Sequence, residues 1–342
     1  MRARAVVFSG VGAVETRDIE LPSPGANDLS IEVLVSGVSV GTERWALTGK
    51  RPEMKFPLVT GYIGIGRVTG VGAEAGKRGY REGQNVNFGV SRLPEPYAGN
   101  SWMGTLLSHA VVDACTGVDW VAGGFNLHRC EIVPEGLDPV EAALTPLCAV
   151  AMRGIEMARI PPGGTVLVTG LGLVGQFAVQ VCRLMGARVA AADPVVKRLQ
   201  LAGETGAEWT INPRAEDMAS RASGIAPGGF DVIIDTSGDP KVVNSVIGLL
   251  RMHGQFIFQG WYPPPSALDL NAFHGRLPTC YMPCAHSGRS VSVAMQWAKE
   301  GKLNVRKLIT HVAKPADARK VYDMIMAGSS DFLGIVFDWR SG

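Results

Sequence analysis

Thr165-Val-Leu-Val-Thr-Gly-Leu-Gly-Leu-Val-Gly175 runs without a break into Gln176-Phe-Ala-Val-Gln-Val-Cys-Arg-Leu-Met-Gly186. A short β-like apolar run meets Gly170-x-Gly172-x-x-Gly175, and apolar residues at helical spacing follow. A second apolar run, ARVAAAD, ends on Asp193, 18 residues beyond Gly175. Each glycine has a distinct physical role. Gly170 allows the tight strand-to-helix turn, Gly172 lets the backbone approach a pyrophosphate, and Gly175 lets the helix pack closely on the strand. The pyrophosphate then sits on the N–H groups of the first helical turn, carried by Leu173, Val174 and Gly175, where the helix dipole favours negative charge. A bare GxGxxG among 43 glycines is a weak signal. Strand, glycines, helix, strand and acid in this order are a strong one, and they predict a dinucleotide site.

Asp193 bears on which dinucleotide. A carboxylate there accepts hydrogen bonds from a ribose 2′-hydroxyl and repels a 2′-phosphate. Lys197 and Arg198 follow closely and either soften that repulsion or form a solvated first helical turn. NAD is expected ahead of NADP.

With 342 residues the chain has room for two domains. A formal charge of +2 and 19% charged residues contain no basic block for nucleic acid and no acidic tail. The apolar run at the N-terminus is interrupted by Ser9, Gly10 and Gly12, which suits a strand and a turn better than a leader peptide. No stretch reaches the roughly 18 apolar residues needed to span a bilayer. Six scattered cysteines, none in a C-x-x-C pair, suggest a reducing compartment. A cytoplasmic protein with a small-molecule substrate, and no nucleic-acid or membrane partner, is the expectation.

Residues 1–135 lack helical periodicity and alternate β-like runs (ARAVVF, LSIEVLVSGVS, IGIGRVTGV, QNVNF) with Gly- and Pro-rich turns, which predicts a mostly β domain. The glycines of GYIGIGRVTGVG miss the dinucleotide spacing and read as a strand with close backbone approaches. From residue 136 the character changes. Asp138 is placed to cap one helix running to the Pro161-Pro-Gly-Gly164 stop, and strands and helices then alternate through FDVIIDTSG, a helix over VVNSVIGLLRMHG, and QFIFQG. That alternation predicts a doubly wound parallel sheet. Two more helices and a last strand, FLGIVFDW, are expected to return in part to the first domain. The overall class is α/β with two domains: 1–135, completed by about 285–342, and 136–284.

In this order, the stretches Gly37-Val38-Ser39-Val40-Gly41-Thr42-Glu43, VTGYIGIGRVTGVG, REGQNV, PPGGTVLVTGLGLVGQFAVQ, DPVVKRL, FDVIIDTSG, GQFIFQG and KLITHV resemble the medium-chain dehydrogenase/reductase superfamily over essentially the full length. The resemblance implies a GroES-like catalytic domain and a Rossmann domain. Ser39-x-Gly41-Thr42-Glu43, Thr48-Gly49, Pro52 and Pro57-Leu58-Val59-x-Gly61-Tyr62 are most similar to the bacteriochlorophyllide hydroxyethyl dehydrogenase branch.

The zinc-binding pattern of that superfamily is broken here. Its first-site cysteine falls on Val40 or Ser39, its Gly-His-Glu becomes Gly61-Tyr62-Ile63, and the glutamate before Pro-Leu becomes Thr145. The four-cysteine structural loop is missing, because residues 85–114 contain no cysteine. Catalytic zinc needs three protein ligands, and Glu43 and Cys148 alone do not supply them, so no metal is expected. Without zinc, hydrogen-bond donors and a proton relay must stabilise and deprotonate the alcohol. Thr42 occupies the position of the family's relay hydroxyl. Tyr62 replaces the lost histidine and is placed either to donate to the substrate oxygen or to fill the vacated space. Glu43 is read as holding the loop, with general base the lesser alternative. The resemblance puts Ser237 and Gly238 at the ribose–nicotinamide end of the cofactor and Gly260 and Trp261 beside the nicotinamide. Trp45, Trp102, Trp261 and Tyr262 are expected on loops near the cleft, with Cys148 nearby, where they suit a flat or apolar substrate or a sugar face, or else serve as ordinary packing or a subunit interface.

These readings converge on a zinc-independent, NAD(H)-dependent oxidoreductase for a secondary alcohol or its ketone, with a hydroxyethyl tetrapyrrole as one candidate. The resemblance further implies a homodimer formed through the edge strand QFIFQGWY, with tetramers also occurring in the family. An NADPH-dependent quinone or enoyl reductase and a non-catalytic nucleotide-binding protein are the alternatives.

Overall fold

The computed structural model describes residues 1–101, 103–116, 130–262, 264–286 and 288–340. The chain begins with β1 (Arg2–Gly10), β2 (Ala13–Glu20), β3 (Asp28–Gly37), α1 (Val40–Leu47), β4 (Leu58–Val59), β5 (Ile63–Val71), α2 (Ala73–Lys77), β6 (Asn85–Phe88), β7 (His109–Asp113), β8 (Glu131–Ile132) and α3 (Pro139–Ala142). It continues through α4 (Thr145–Ala158), β9 (Thr165–Thr169), α5 (Leu173–Leu184), β10 (Arg188–Ala192), α6 (Val196–Thr205), β11 (Trp209–Ile211), α7 (Met218–Ile225), β12 (Phe230–Asp235), α8 (Pro240–Val246), β13 (Leu250–Phe258), α9 (Leu270–His274) and β14 (Thr279–Tyr281). The last elements are α10 (Gly288–Lys299), β15 (Ile309–Ala313), α11 (Ala318–Met326) and β16 (Gly334–Asp338). Among the described residues no helix is long and apolar enough to cross a membrane.

Two compact units result. The first comprises Met1–Pro146, Ser287–Glu300 and Ile309–Gly342; the second comprises Leu147–His286 and Gly301–Leu308.

In the first unit β2-β1-β4 form one sheet, and the order β15-β16-β3-β5-β6-β8 forms a larger one, with β7 also paired to β3. Pairing is antiparallel except between β15 and β16. β1 shows why the basic N-terminus folds as a strand: Arg2 and Arg4 point to solvent while Ala3 and Ala5 are buried, a period of two. The glycines of β5 mark close approaches. A Cβ on Gly66 would lie 2.2 Å from Ile31 Cγ2, and one on Gly64 would lie 2.5 Å from the Phe88 ring. Two apolar clusters fill this unit, one around Ile31, Val68 and Phe88, the other around Phe8, Tyr322 and Phe337.

The second unit is one parallel sheet in the order β11-β10-β9-β12-β13-β14. The order reverses at β9, so right-handed crossovers place helices on both faces and bury both sides of the strands. That double burial is why β9, β10 and β12 are apolar nearly throughout.

Several elements differ from the sequence expectation. The Gly41-Thr42-Glu43 stretch is helical, because α1 covers it inside the largely β unit. The helix expected from Asp138 is two helices. Asp138 caps α3 through the Val140 N–H, but Pro146 has no N–H and its ring would clash with the preceding turn, so a new helix starts at Thr145. α8 ends at Val246, and β13 already begins at Leu250. Its register shifts against β12 between Phe230 and Val232, and His253 takes φ +56° there. Aliphatic residues satisfy either period in that stretch, so the sequence does not separate helix from strand. QFIFQG is not the edge of the sheet, because β14 pairs outside it.

Candidate functional site

In the second unit the loop after β9 has the geometry its glycines predict. Gly170 has φ +79°, and a Cβ on it would lie 2.7 Å from the Ser237 amide nitrogen. A Cβ on Gly175 would lie 2.0 Å from the Gly170 carbonyl oxygen, so only glycine lets α5 pack this close to the turn. Gly172 is different, with nothing within 4 Å of where its Cβ would be. It is the N-cap of α5 and supplies no side-chain cap, which leaves the first-turn N–H groups of Leu173, Val174 and Gly175 to an external acceptor. Open space above Gly172 and uncapped amides suit a pyrophosphate.

Asp193 is almost fully buried and holds the loop as well as facing it. Its Oδ2 accepts the Leu171 N–H at 2.7 Å and its Oδ1 accepts the Val195 N–H at 2.8 Å. A carboxylate has about four acceptor positions, so capacity for a ribose hydroxyl remains. Arg198 Nη1 stands 3.8 Å from Asp193 Oδ2. Its buried Nε has no hydrogen-bond partner among the described residues.

The sequence reading missed Asp235, at the end of β12. Its carboxylate is completely buried and accepts four hydrogen bonds. Oδ1 takes Thr169 Oγ1 and Ser237 Oγ, each at 2.7 Å. Oδ2 takes the Tyr262 hydroxyl at 2.5 Å and the Gly238 N–H at 3.3 Å. The Asp235 carbonyl receives the Gln259 and Gly260 N–H groups, both at 2.9 Å. Asp235 therefore gathers the loops that follow β9, β12 and β13. Tyr262, expected against a substrate, instead points its hydroxyl at Asp235. Burial and the Asp235 charge push its phenol above the ordinary tyrosine range, which keeps it a donor. Trp261 is 53% exposed.

In the first unit α1 carries a polar network. Glu43 is completely buried. Its Oε1 accepts the Ser39 N–H at 2.8 Å, and its Oε2 accepts Thr60 Oγ1 at 3.4 Å and the hydroxyl of Tyr322, from α11. Burial raises Glu43 from 4.5 to about 7, and the hydrogen bonds from Tyr322, Ser39 and Thr60 only partly offset it. Ser39 then joins the predicted pair: Tyr62 donates to Ser39 Oγ at 2.8 Å, and Ser39 Oγ donates to Thr42 Oγ1 at 3.2 Å. Burial pushes Tyr62 upward, while the charge of Arg51, itself buried and ion-paired to Glu53 at 2.9 Å, acts the other way. Tyr62–Ser39–Thr42 is a chain of three hydroxyls able to pass a proton along it.

Other expected residues sit elsewhere. Trp45 lies on α1, not on a loop, with Lys50 Nζ 5.9 Å from its ring centroid. Cys148 is buried within α4, and burial pushes its thiol well above the usual range. Trp102 lies outside the described residues. Among the described residues no group of three or more His, Cys, Asp or Glu side chains is placed to hold a metal ion. Of the superfamily's ligand positions only Glu43 and Cys148 carry a metal-binding side chain, short of the three protein ligands a catalytic zinc requires, so this donor set does not fit a zinc ion.

The description "zinc-binding dehydrogenase" fits a family profile that matches residues 174–279. The 2-desacetyl-2-hydroxyethyl bacteriochlorophyllide A dehydrogenase of Cereibacter sphaeroides is 26% identical, covering 100% of this chain and 99% of its own length. A zinc-binding dehydrogenase of Sinorhizobium meliloti 1021, solved bound to NADP, superposes with a TM-score of 0.84 at 22% identity, covering 99% of each chain. An alcohol dehydrogenase of Escherichia coli CFT073, solved with NADH, gives 0.81 at 19% identity, covering 98% of this chain and 99% of that one.

The surroundings of Gly172 and Gly175 predict opposite outcomes for one added methyl group. Gly172→Ala meets no protein atom and should fold with an unchanged denaturation midpoint while binding NADH more weakly. Gly175→Ala should destabilise the protein itself, by about 1–3 kcal/mol or more. Denaturation and NADH fluorescence titration of the two variants check this contrast. Glu43 is raised on folding, so its contribution to stability is fully present below its unfolded value of 4.5 and is lost as pH rises through about 7. Between about pH 5 and about pH 8 wild-type protein should lose on the order of 2–3 kcal/mol that Glu43→Gln does not lose, as measured by urea denaturation at each pH.

Proposed function

We propose that this chain, which belongs to the medium-chain dehydrogenase/reductase superfamily and is an oxidoreductase, is a zinc-independent, NAD(H)-linked dehydrogenase of secondary alcohols. One observation carries the reading. Where the superfamily's zinc ligands would stand, this chain has a connected Tyr62–Ser39–Thr42 hydroxyl chain. Nicotinamide, when bound, would supply the acceptor for the hydride of the carbinol carbon. The protein's part is to take up the hydroxyl proton and stabilise the negative charge that develops on oxygen. The alcohol's proton passes to Tyr62 Oη as Tyr62 gives its own proton to Ser39 Oγ, so the buried phenol stays neutral throughout. Ser39 hands its proton to Thr42 Oγ1, half-buried Thr42 releases one to solvent, and Glu43 holds Ser39 in place by accepting its N–H. Thr42 and Tyr62 are thus the proposed catalytic residues, with Glu43 supporting them.

The cofactor residues in this proposal are Gly170, Gly172, Leu173, Val174, Gly175, Asp193, Ser237, Gly238, Gly260 and Trp261. Remaining acceptor capacity on Asp193 supports NAD. Arg198, with a buried donor unused, is the observation that favours NADP, and with it the quinone or enoyl reductase alternative. The substrate class follows the Cereibacter relative, whose name gives a hydroxyethyl bacteriochlorophyllide. We place the enzyme in the cytoplasm as a homodimer, consistent with six free cysteines.

Fluorescence titration with NADH and with NADPH tests the cofactor half, and tighter NADH binding is expected. Tyr62→Phe tests the chemistry. Turnover of secondary alcohols should fall by about 10²-fold or more with NADH affinity unchanged. Unchanged turnover would remove Tyr62 from the mechanism, and a preference for NADPH would favour the reductase alternative.

A further inference from the structure

Asp235 holds together two kinds of contact that differ in purpose. Through Oδ1 it reaches back to Thr169, the last residue of β9, and so to the loop that offers its amides to a pyrophosphate. The neighbouring Thr236 hydroxyl donates to the Gly170 carbonyl of the same loop. Through Oδ2 it reaches the loops after β12 and β13, by way of Gly238 and Tyr262.

Those last two loops cross with almost no side chain between them. A Cβ on Gly260 would lie 2.5 Å from the Gly238 nitrogen, and a Cβ on Gly238 would lie 2.6 Å from the Trp261 carbonyl oxygen. A crossing made of bare backbone has little apolar surface to lock it, so its register depends on polar ties. Backbone bonds from Gln259 and Gly260 to the Asp235 carbonyl fix the start of the second loop. Beyond them, the Tyr262 hydroxyl ties the loop's far side to the carboxylate. Its ring leans edge-on against Phe258, with centroids 5.8 Å apart and planes at 75°. Without the phenol, Oδ2 would keep a single amide donor at 3.3 Å. A buried carboxylate oxygen left short of donors carries a desolvation cost, so the loop would shift to recover one.

We infer that Tyr262 is a positioning residue for the nicotinamide half of the cofactor site: by donating to Asp235 it holds the Ser237–Gly238 and Gly260–Trp261 loops in the arrangement that receives the ring. This rests on the proposal that the chain binds NAD(H). The pyrophosphate loop is tied to the opposite oxygen of the same carboxylate and does not depend on Tyr262. The two halves of the cofactor should therefore respond differently to losing the phenol.

Tyr262→Phe removes one oxygen and keeps the ring. Its affinity for NADH, followed by nicotinamide fluorescence, should fall roughly tenfold, the size expected for one hydrogen bond to a charged group. Its affinity for ADP-ribose, which lacks the nicotinamide, should match wild type by calorimetry. Ser237→Ala, which removes a donor from the other oxygen but on the same pair of loops, should give the same selective loss. Equal weakening of both ligands would mean a general structural role, and no change in either would mean an idle contact; each overturns the inference. Wild-type protein that binds neither ligand would instead overturn the function on which the inference rests.

Discussion

A carboxylate taken out of water must have its oxygens supplied with donors, and this chain meets that constraint twice. Asp235 in the second unit draws four donors, one from the end of β9 and three from the loops after β12 and β13. Glu43 in the first draws three, from its own N-terminal turn, from Thr60 and from Tyr322. In each case the demand of a buried charge organises backbone that apolar packing alone would leave underdetermined. At Asp235 the organised backbone is the set of loops at the carboxyl ends of β9, β12 and β13. At Glu43 it is the start of α1 and the serine that links Tyr62 to Thr42. Glu43 differs in sitting close to its own midpoint near neutrality, so its network is sensitive to pH in a way that ordinary carboxylates are not.

The parts of the fold set by local chemistry were legible in the sequence. TVLVTGLGLVG could be read because Gly170 and Gly175 answer to close approaches and Gly172 leaves open space at the helix start, and the sheet that follows could be read because strands buried on both faces are apolar throughout. The β5 glycines were legible for the same reason, as a strand whose neighbours leave no room for a side chain. What could not be read depends on residues far apart in the chain. Tyr322 is 279 positions from Glu43, and nothing in PADARKVYDMIMAG marks its tyrosine as the partner of a carboxylate in α1. Asp235 looked like the end of a strand, because its significance lies in Tyr262, 27 residues on, and in Thr169, 66 residues back. Ser39 appeared as part of a family motif and as a position where a cysteine was missing; its value as the middle of a hydroxyl chain needs the Tyr62 side chain beside it. Trp45 was expected on a loop and lies on α1, whereas Tyr262 is on the loop after β13 with its hydroxyl turned to Asp235, a partner nothing in the local sequence marks.

A zinc-independent reaction, as proposed, changes what the first unit must provide. A metal ion binds an alkoxide and lowers the energy of forming it without needing a particular proton pathway. Hydroxyl groups can do the same work only when they are aligned and when one of them stays protonated. Burial of Tyr62 supplies the second condition, and the Ser39 N–H held by Glu43 supplies the first. In the proposed function the family resemblance and the missing ligand set are compatible: the nicotinamide chemistry stays, and a hydrogen-bonded relay takes the place of the Lewis acid.

The most direct measurement is alcohol-dependent reduction of NAD after exhaustive treatment with a strong zinc chelator, using a secondary alcohol deuterated at the carbinol carbon. A metal-free relay predicts full activity after chelation, with the deuterium delivered to the nicotinamide. Activity that disappears on chelation and returns with added zinc would contradict it.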